Sequence, residues 1–178
     1  MKRLFVGLPV TPSFAGRLSH LQPEADKKIR PTLGSQMHVT VQFIGRAEAE
    51  PIAKALQHVA GESFPLAVTQ LGQFGSPRRG GILWLGVAIH PRLAALRADT
   101  IAALAPLGIE PDPRAFTPHI TLARYRRGTP RNAVDAFLRQ QLPPFPPLEV
   151  REFVLYASRQ ASAGSVYTPE GIFELGGQ

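Results

Sequence analysis

Two short stretches of the sequence carry the same pattern of histidine, threonine and apolar residues. They read His38-Val39-Thr40-Val41 and His119-Ile120-Thr121-Leu122, and 81 residues separate the two histidines. Polar and apolar residues alternate in both, which is typical of a β-strand with one buried face and one open face. Each histidine is therefore expected to stand beside its threonine on the open face of a strand.

Two histidines that face each other can share the proton transfers of a reaction at phosphorus. One neutral imidazole takes a proton from water, and one protonated imidazole gives a proton to the leaving oxygen. Threonine hydroxyls can donate hydrogen bonds to the charge that gathers on the non-bridging phosphate oxygens. His38, His119, Thr40 and Thr121 are therefore the predicted catalytic residues of a phosphoesterase, and this chemistry needs no metal.

The sequence lacks the motifs of other common hydrolytic and phosphate-binding sites. It contains no Gly-x-x-x-x-Gly-Lys-Ser/Thr loop, no His-Glu-x-x-His and no Gly-x-Ser-x-Gly. A zinc site at His38 and His119 would need a further carboxylate or histidine on these strands, and neither strand carries one. The remaining histidines, His20, His58 and His90, have no repeated partner. We therefore expect neither a metal nor another cofactor.

The repeated motif belongs to a longer internal repeat. Other landmarks recur in the same order, at offsets that range from 79 to 82 residues. They are Phe5-Val6-Gly7-Leu8 with Trp84-Leu85-Gly86-Val87, Pro51 with Pro130, and Pro65-Leu66-Ala67-Val68 with Pro147-Leu148-Glu149-Val150. Offsets near half the chain length indicate a duplication with small changes in the loops.

Hydrophobic periodicity predicts the same order of elements in both halves. In the first half we expect strands at 2–8, 38–45 and 65–74, helices at 12–22 and 50–60, and a loop at 23–35. In the second half we expect strands at 81–89, 118–124 and 148–157, helices at 91–105 and 129–141, and a last strand pair at 165–175. Thr129 is expected to cap its helix, with Pro130 in the first helical position.

Each half thus reads β-α-β-α-β, which predicts an α+β fold. We expect two pseudo-symmetric lobes with antiparallel sheets that flank a central groove. The chain is expected to form a single bilobal domain over residues 1–178, with intertwined lobes at roughly 1–80 and 81–178.

Composition limits the class of protein further. The chain has 178 residues, of which 44% are hydrophobic, no cysteine, and a formal net charge of +7. Disulfides and thiolate chemistry are excluded, and the hydrophobic content is sufficient for a folded core. The positive charge favours an anionic partner, and Arg78 and Arg79 lie in one of the densest basic segments. No apolar run predicts a signal peptide or a membrane span, so we expect a cytosolic monomer without membrane contact.

Beyond these patterns, the chain resembles the 2H phosphoesterase superfamily. Within it, the chain is similar to the RNA 2′,3′-cyclic phosphodiesterase family, formerly called 2′–5′ RNA ligase or LigT-like. Besides the two motifs, the resemblance rests on Arg3-Leu4-Phe5-Val6, Arg30, Phe43-Ile44-Gly45, Leu83-Trp84-Leu85-Gly86-Val87, Phe116-Thr117-Pro118-His119, Leu122-Ala123-Arg124 and Tyr167. Two positions depart from the family pattern: Val41 replaces a leucine, and Pro31 stands where an aromatic residue commonly follows the arginine.

The resemblance implies a LigT-like fold, a reaction and the role of each motif residue. The enzyme would open the 2′,3′-cyclic phosphate end of an RNA to a 2′-phosphomonoester without a metal. His38 would be the proton donor and His119 the proton acceptor, while Thr40 and Thr121 would hold the phosphate. The implied partner is RNA with a 2′,3′-cyclic phosphate end, such as a tRNA fragment, or a cyclic nucleotide.

Two other activities stay open at this point. One is reversible 2′–5′ joining of RNA ends, or cleavage of 2′–5′ linkages, in the same fold. The other is binding of RNA or nucleotides without turnover.

Physical arguments add candidates for contacts to the base and the sugar. Phe5 lies on the non-core face of the first strand and could stack on a nucleobase. Arg124 could stack or pair with phosphate, but strict alternation would put it opposite His119 unless the strand ends or twists there. For Trp84 we expect packing in the core rather than a place in the groove. The other substrate-binding candidates are Arg30 and Tyr167, from the resemblance, and Arg78 and Arg79, from their charge.

Overall fold

The computed structural model describes residues 1–161 and 164–177 as helices packed on antiparallel β-sheet. The strands are β1 (Lys2–Pro9), β2 (Ile29–Pro31), β3 (His38–Ala47), β4 (Phe64–Leu66), β5 (Val68–Ser76), β6 (Gly80–Val87), β7 (His119–Tyr125), β8 (Leu148–Val150), β9 (Glu152–Ala161) and β10 (Gly164–Glu174). The helices are α1 (Pro12–Ser19), α2 (Ala49–Leu56), α3 (Pro91–Leu104) and α4 (Arg131–Leu138), with short 3-10 turns at Gly34–Gln36 and Ala105–Leu107. No helix in the described ranges is long and apolar enough to cross a membrane.

The two histidine strands lie side by side at the centre of one large antiparallel sheet. The strand order is β10-β9-β1-β3-β7-β6-β5, and β2 also pairs with β7. β3 and β7 pair at Val39 and Ile120 alone, so the halves of the sheet meet at one register pair. β4 and β8 form a separate two-stranded sheet. The predicted α+β fold with pseudo-symmetric antiparallel halves is confirmed.

The two halves of the sheet exchange strands. β1 and β3 are extended by β9 and β10 from the end of the chain, whereas β6 and β7 are extended by β5 and β2 from its beginning. The repeat boundary near residue 80 is therefore a boundary in sequence, while each half of the sheet contains strands from both repeats.

The helices pack on the apolar face of the sheet and leave its other face open. Each helix buries an apolar stripe, which includes Leu18 in α1, Leu56 in α2, Leu93 in α3 and Phe137 in α4. These side chains share one hydrophobic core with the inward residues of the strands, among them Val39 and Ile120. Because successive strand residues alternate, burial of Val39 and Ile120 turns the histidines and threonines of both motifs to the open face.

A β-bulge interrupts each histidine strand three residues after its histidine. The extra residue is Val41 on β3 and Leu122 on β7, each without a partner on the neighbouring strand. A bulge shifts the alternation by one residue. Phe43 and Arg124 therefore turn to the open face, where both line the groove. The bulge on β7 therefore brings Arg124 to the same face as His119, whereas strict alternation would have put the two residues on opposite faces.

Two predicted strands are each divided between two sheets. Residues 65–74 fall into β4 and β5, which pair with β8 and β6, and residues 148–157 fall into β8 and β9. The predicted loop at 23–35 also contains β2 and a 3-10 turn. Alternation of apolar residues indicates that a segment is extended. It does not indicate which sheet the segment joins, because the strand that pairs with it is distant in sequence.

The predicted cap of α4 is wrong. The helix begins at Arg131, and Pro130 occupies the N-cap position without a side-chain hydrogen bond. Thr129 is buried instead, where its hydroxyl donates to the carbonyl of Arg126 at 2.8 Å. The threonine therefore closes the preceding turn rather than the helix.

The sequence alignment of Phe5 with Trp84 is wrong by two residues. In the sheet, Gly7 pairs with Thr40 and Trp84 pairs with Thr121, so Gly7 and Trp84 occupy equivalent positions. A Cβ atom at Gly7 would lie 3.2 Å from the ring of Phe5. One half of the sheet thus fills this space with the ring of Phe5, and the other half fills it with the indole of Trp84.

Candidate active site

The open face of β3 and β7 forms the floor of a groove of about 1000 Å³. His38, Thr40, His119 and Thr121 all line it. The one register pair, Val39 with Ile120, is flanked by His38 and Thr40 on β3 and by His119 and Thr121 on β7. The charge of His119 acts on His38, which shows that the two imidazoles are close. Two imidazoles and two hydroxyls therefore surround one small volume on the floor.

Both imidazoles are held in the same way by the backbone. Nδ1 of His38 lies 2.8 Å from the carbonyl of Gln36, and Nδ1 of His119 lies 2.7 Å from the carbonyl of Thr117. A carbonyl only accepts hydrogen bonds, so Nδ1 must carry a proton in each ring. Nε2 is left as the nitrogen that can gain or lose a proton at the site.

Aromatic side chains pack around His38. Phe5 is 4.8 Å from its imidazole and stacks on Tyr156 at 5.1 Å, and Tyr167 meets the imidazole edge-on at 5.0 Å. Phe5 is only 4% exposed. Phe5 lines the groove, but its ring is largely covered by these neighbours and supports His38, so stacking of Phe5 on a nucleobase stays a prediction.

A second aromatic pair packs around His119. Trp84 lies 5.8 Å and Phe74 5.1 Å from the imidazole, and the two rings contact each other at 5.0 Å. Trp84 is buried, as expected, but it packs beneath His119 on the groove side of the sheet rather than within the main hydrophobic core. Each imidazole thus has its backbone acceptor and its aromatic support.

Burial makes both imidazoles hard to protonate in the free protein, and nearby positive charge adds to this effect at His38. The pKa of His38 is lowered to about 4, mainly by burial and also by the charges of His119 and Arg124, while the hydrogen bond to the Gln36 carbonyl opposes this shift. Burial also lowers the pKa of His119. Both shifts favour the neutral form of the imidazoles in the free protein near pH 7.

This depressed pKa predicts a loss of stability in acid. The unfolded chain protonates a histidine near pH 6.5 and the folded chain protonates His38 near pH 4, so stability falls as the pH falls through this window. The difference corresponds to about 3 kcal/mol in the free energy of unfolding. Urea unfolding from pH 7 to pH 4 should show a weaker pH dependence for His38→Gln than for the native protein. His20→Gln, at an exposed position, is the control, and equal slopes for all three proteins would contradict the prediction.

Two predicted arginines lie together at one end of the groove. Arg30 on β2 pairs with Arg124 on β7, and both line the groove. Tyr167 also lines it, beside His38. Arg78 and Arg79 do not line it; they sit in the turn between β5 and β6. The floor and one end of the groove are thus built from the predicted residues.

The family model of the 2′-5′ RNA ligase superfamily matches residues 10–161, which include both His-x-Thr motifs. The chain belongs to the 2′-5′ RNA ligase superfamily. This result confirms the 2H phosphoesterase family predicted from the sequence, and with it the prediction of an enzyme.

Individual members of the superfamily resemble the chain over nearly its whole length. An RNA 2′,3′-cyclic phosphodiesterase of Archaeoglobus fulgidus is 27% identical over 180 residues, which cover 97% of this chain and 99% of that protein. One from Escherichia coli K12 is 34% identical over 162 residues, which cover 86% of this chain and 82% of that protein. The crystal structure of E. coli LigT complexed with 3′-AMP aligns with a TM-score of 0.73 and 25% identity over 98% of both chains.

The opposite end of the groove in this 2H phosphoesterase was not predicted from the sequence. Phe43 stands there, 49% exposed, two residues after the bulge of β3. Arg97 lies over the ring of Phe116 at 4.6 Å, and Arg114 forms an ion pair with Asp112 at 2.6 Å. Phe43 could have been found, because it follows His38 by five residues as Arg124 follows His119. The loop that carries Asp112 and Arg114 has no periodic signal.

The described part of this superfamily member shows no cluster of side chains that would bind a metal ion. Within residues 1–161 and 164–177, no three histidine, aspartate or glutamate side chains lie close enough together to hold a metal ion. Metal independence remains a prediction that an activity assay must test.

Proposed function

We propose that this 2H phosphoesterase opens the 2′,3′-cyclic phosphate at the end of an RNA and leaves a 2′-phosphomonoester. The floor of the groove carries the proposal, because two imidazoles with fixed Nδ1 atoms meet two threonine hydroxyls there. Hydrolysis of a cyclic phosphodiester needs a base for water, an acid for the leaving oxygen and donors for the developing charge. The names of the relatives support RNA as the substrate.

In this reaction each side chain has one task. Nε2 of His119 accepts a proton from water, whose oxygen attacks phosphorus. The bond from phosphorus to the 3′ oxygen breaks, and the proton on Nε2 of His38 passes to that oxygen. The hydroxyls of Thr40 and Thr121 donate hydrogen bonds to the non-bridging oxygens. The assignment of donor and acceptor follows the family resemblance, since the two halves of the floor are nearly equivalent.

His38 takes up its proton from solvent only when the substrate is bound. A pKa of about 4 leaves its imidazole neutral in the free protein near pH 7. A bound phosphate places a negative charge beside the ring and offsets the positive charge of Arg124, which raises the pKa. Substrate binding therefore creates the acid that the reaction needs.

The direct test is product analysis with two substrates. The pure protein is incubated with 2′,3′-cyclic AMP and with a tRNA half that bears a cyclic end. We expect 2′-phosphates from both, identified by chromatography against authentic 2′- and 3′-phosphates. A 3′-phosphate product would contradict the proposed bond cleavage, and failure to convert either substrate would favour binding without turnover.

Activity is expected to survive removal of metal ions. An acid and base pair supplies the proton transfers, and threonine hydroxyls take the place of a metal at the phosphate oxygens. Initial rates on 2′,3′-cyclic AMP after dialysis against EDTA should stay within about twofold of the untreated rate. Loss of activity that a divalent ion restores would contradict this prediction.

Phe43 is expected to be the base platform in place of Phe5. Its ring is exposed in the groove and is free to stack, and stacking on an aromatic side chain contributes about 1–3 kcal/mol per base. Phe43→Ala should therefore raise KM for 2′,3′-cyclic AMP by about tenfold or more, while Phe43→Tyr keeps the native value. The matched control is Phe74→Ala at the other exposed phenylalanine of the groove, which contacts His119 and should lower kcat. An unchanged KM in Phe43→Ala would rule out the platform.

Reversible 2′–5′ joining is the second candidate activity. The groove continues past the floor toward both Phe43 and Arg124, so it has space on both sides of a bound phosphate. An assay with a cyclic-ended RNA and a second RNA bearing a 5′-hydroxyl would detect a 2′–5′ product. A single bilobal domain that acts as a cytosolic monomer also remains a prediction from the sequence.

A further inference from the structure

Basic side chains from three distant segments meet on one surface next to the groove. Backbone hydrogen bonds join the segments: the N–H of Arg126 donates to the carbonyl of Lys28 at 2.8 Å, and the N–H of Gly128 donates to the carbonyl of Pro77 at 2.8 Å. We call the exposed cations of this surface the basic shelf, and they are Lys28, Arg78, Arg79, Arg126 and Arg127.

The charge of the basic shelf is not neutralised by ion pairs in the described part of the chain. The ion pairs found there involve other cations. The carboxylate of Asp26 accepts hydrogen bonds from the backbone N–H groups of Lys28 and Ile29 and interacts with the charge of Lys28, whose ammonium donates to the carbonyl of Gly128. At the opposite end of the groove, Arg114 is paired with Asp112, and Arg97 packs on the ring of Phe116. That end offers the exposed ring of Phe43, whereas the end at Arg124 continues into the basic shelf.

The basic shelf continues directly from the groove. Arg30 and Arg124 face each other at its end, and Lys28 and Arg126 continue the same pairing two residues further on. Two residues of extended chain span about 7 Å. A line of positive charge thus leads outward from the histidines, beginning at Arg124 and reaching the turn that carries Arg78 and Arg79.

The covalent structure of a terminal nucleotide matches this asymmetry. The cyclic phosphate bridges the oxygens on C2′ and C3′ of the ribose. The base is attached to C1′, next to C2′, and the upstream chain continues through C4′ and C5′, next to C3′. With the phosphate on the groove floor, the base is attached on the C2′ side and the chain on the C3′ side, so the two can extend toward different ends of the groove. An aromatic ring suits the base, and unpaired arginines suit a phosphodiester chain.

We propose that the RNA chain upstream of the cyclic end leaves the groove past Arg30 and Arg124 and lies on the basic shelf. This inference rests on the proposed function, and it adds the direction of the RNA and a binding surface for several further phosphates. It also makes an RNA, rather than a cyclic mononucleotide, the substrate that the protein binds best.

The experiment compares two double variants that each remove two positive charges. Arg126→Gln/Arg127→Gln alters the basic shelf, and Arg139→Gln/Arg151→Gln alters exposed arginines away from the groove. Binding of single-stranded RNAs of one to eight nucleotides with a 3′-terminal phosphate is measured at several salt concentrations. Values of kcat/KM are measured for 2′,3′-cyclic AMP and for an eight-nucleotide RNA with a cyclic end.

Native protein should bind more tightly as the RNA lengthens, and the shelf variant should lose most of that gain. Its salt dependence should fall by about 1.4 in log–log slope, since each phosphate contact to a single strand contributes about 0.7. Its kcat/KM for the eight-nucleotide RNA should fall about tenfold more than that for 2′,3′-cyclic AMP, while the control variant stays near the native values.

Three outcomes would overturn the inference. They are equal losses for short and long substrates, equal losses in shelf and control variants, and native affinity that does not increase with RNA length. The proposed function fails separately, if the native protein converts neither cyclic substrate, and the binding measurements would still show whether RNA occupies the basic shelf.

Discussion

Replacement of either motif histidine by alanine is expected to slow the opening of 2′,3′-cyclic AMP by about two to four decades, the usual contribution of a positioned acid or base. Both imidazoles line the floor, and both have Nδ1 fixed by a carbonyl, so each supplies one Nε2 to the reaction. The double variant His38→Ala/His119→Ala should lose less than the product of the single losses, because the pair acts as one unit. His20→Ala, outside the groove, serves as the control.

A change of leaving group then separates the two roles. A phosphodiester with a 4-nitrophenolate leaving group needs no proton on the departing oxygen, so it relieves only the task of the acid. His38→Ala should therefore recover more activity on this substrate than His119→Ala. Greater recovery of His119→Ala would reverse the assignment of donor and acceptor. Equal recovery would contradict a mechanism in which the two histidines divide the proton transfers.

The sequence was sufficient to place the floor of the groove because its signals are local. His38, Thr40, His119 and Thr121 share a face through strand alternation, and the repeat relates the two strands. The helices and the apolar core followed from periodicity for the same reason. These features depend on residues a few positions apart, or on an internal copy of the same pattern.

Features that depend on pairing between distant segments could not be predicted. The bulges at Val41 and Leu122 arise from the register with β1 and β6, and they decide that Phe43 and Arg124 face the groove. Burial of Phe5 depends on Tyr156, which lies more than a hundred residues away in the chain. Alternation alone therefore gave the correct side of the sheet for Phe5 but not its exposure.

Removal of the threonine hydroxyls is the second change with a large expected effect. Thr40→Val and Thr121→Val should each lower kcat on 2′,3′-cyclic AMP by about two to three decades, as loss of a donor to a developing oxyanion does elsewhere. Valine is close to threonine in shape and favours strands, so the fold should be retained. Thr40→Ser and Thr121→Ser keep the hydroxyl and are the matched controls, with rates expected within about tenfold of the native enzyme.

The distribution of the loss between kcat and KM identifies what the hydroxyls bind. Both threonines line the groove beside the pair Val39–Ile120 at which the two histidine strands meet, so we expect their hydroxyls to lie next to the bound phosphate. Negative charge on the non-bridging oxygens grows as water attacks, and a hydrogen bond that strengthens at that moment lowers kcat when it is lost. A rise in KM with unchanged kcat would instead mean that the hydroxyls hold the ground-state phosphate equally well. Native kinetics in both valine variants, with thermal unfolding unchanged, would remove the threonines from the mechanism and leave the arginines at the groove end as the candidates for phosphate contact.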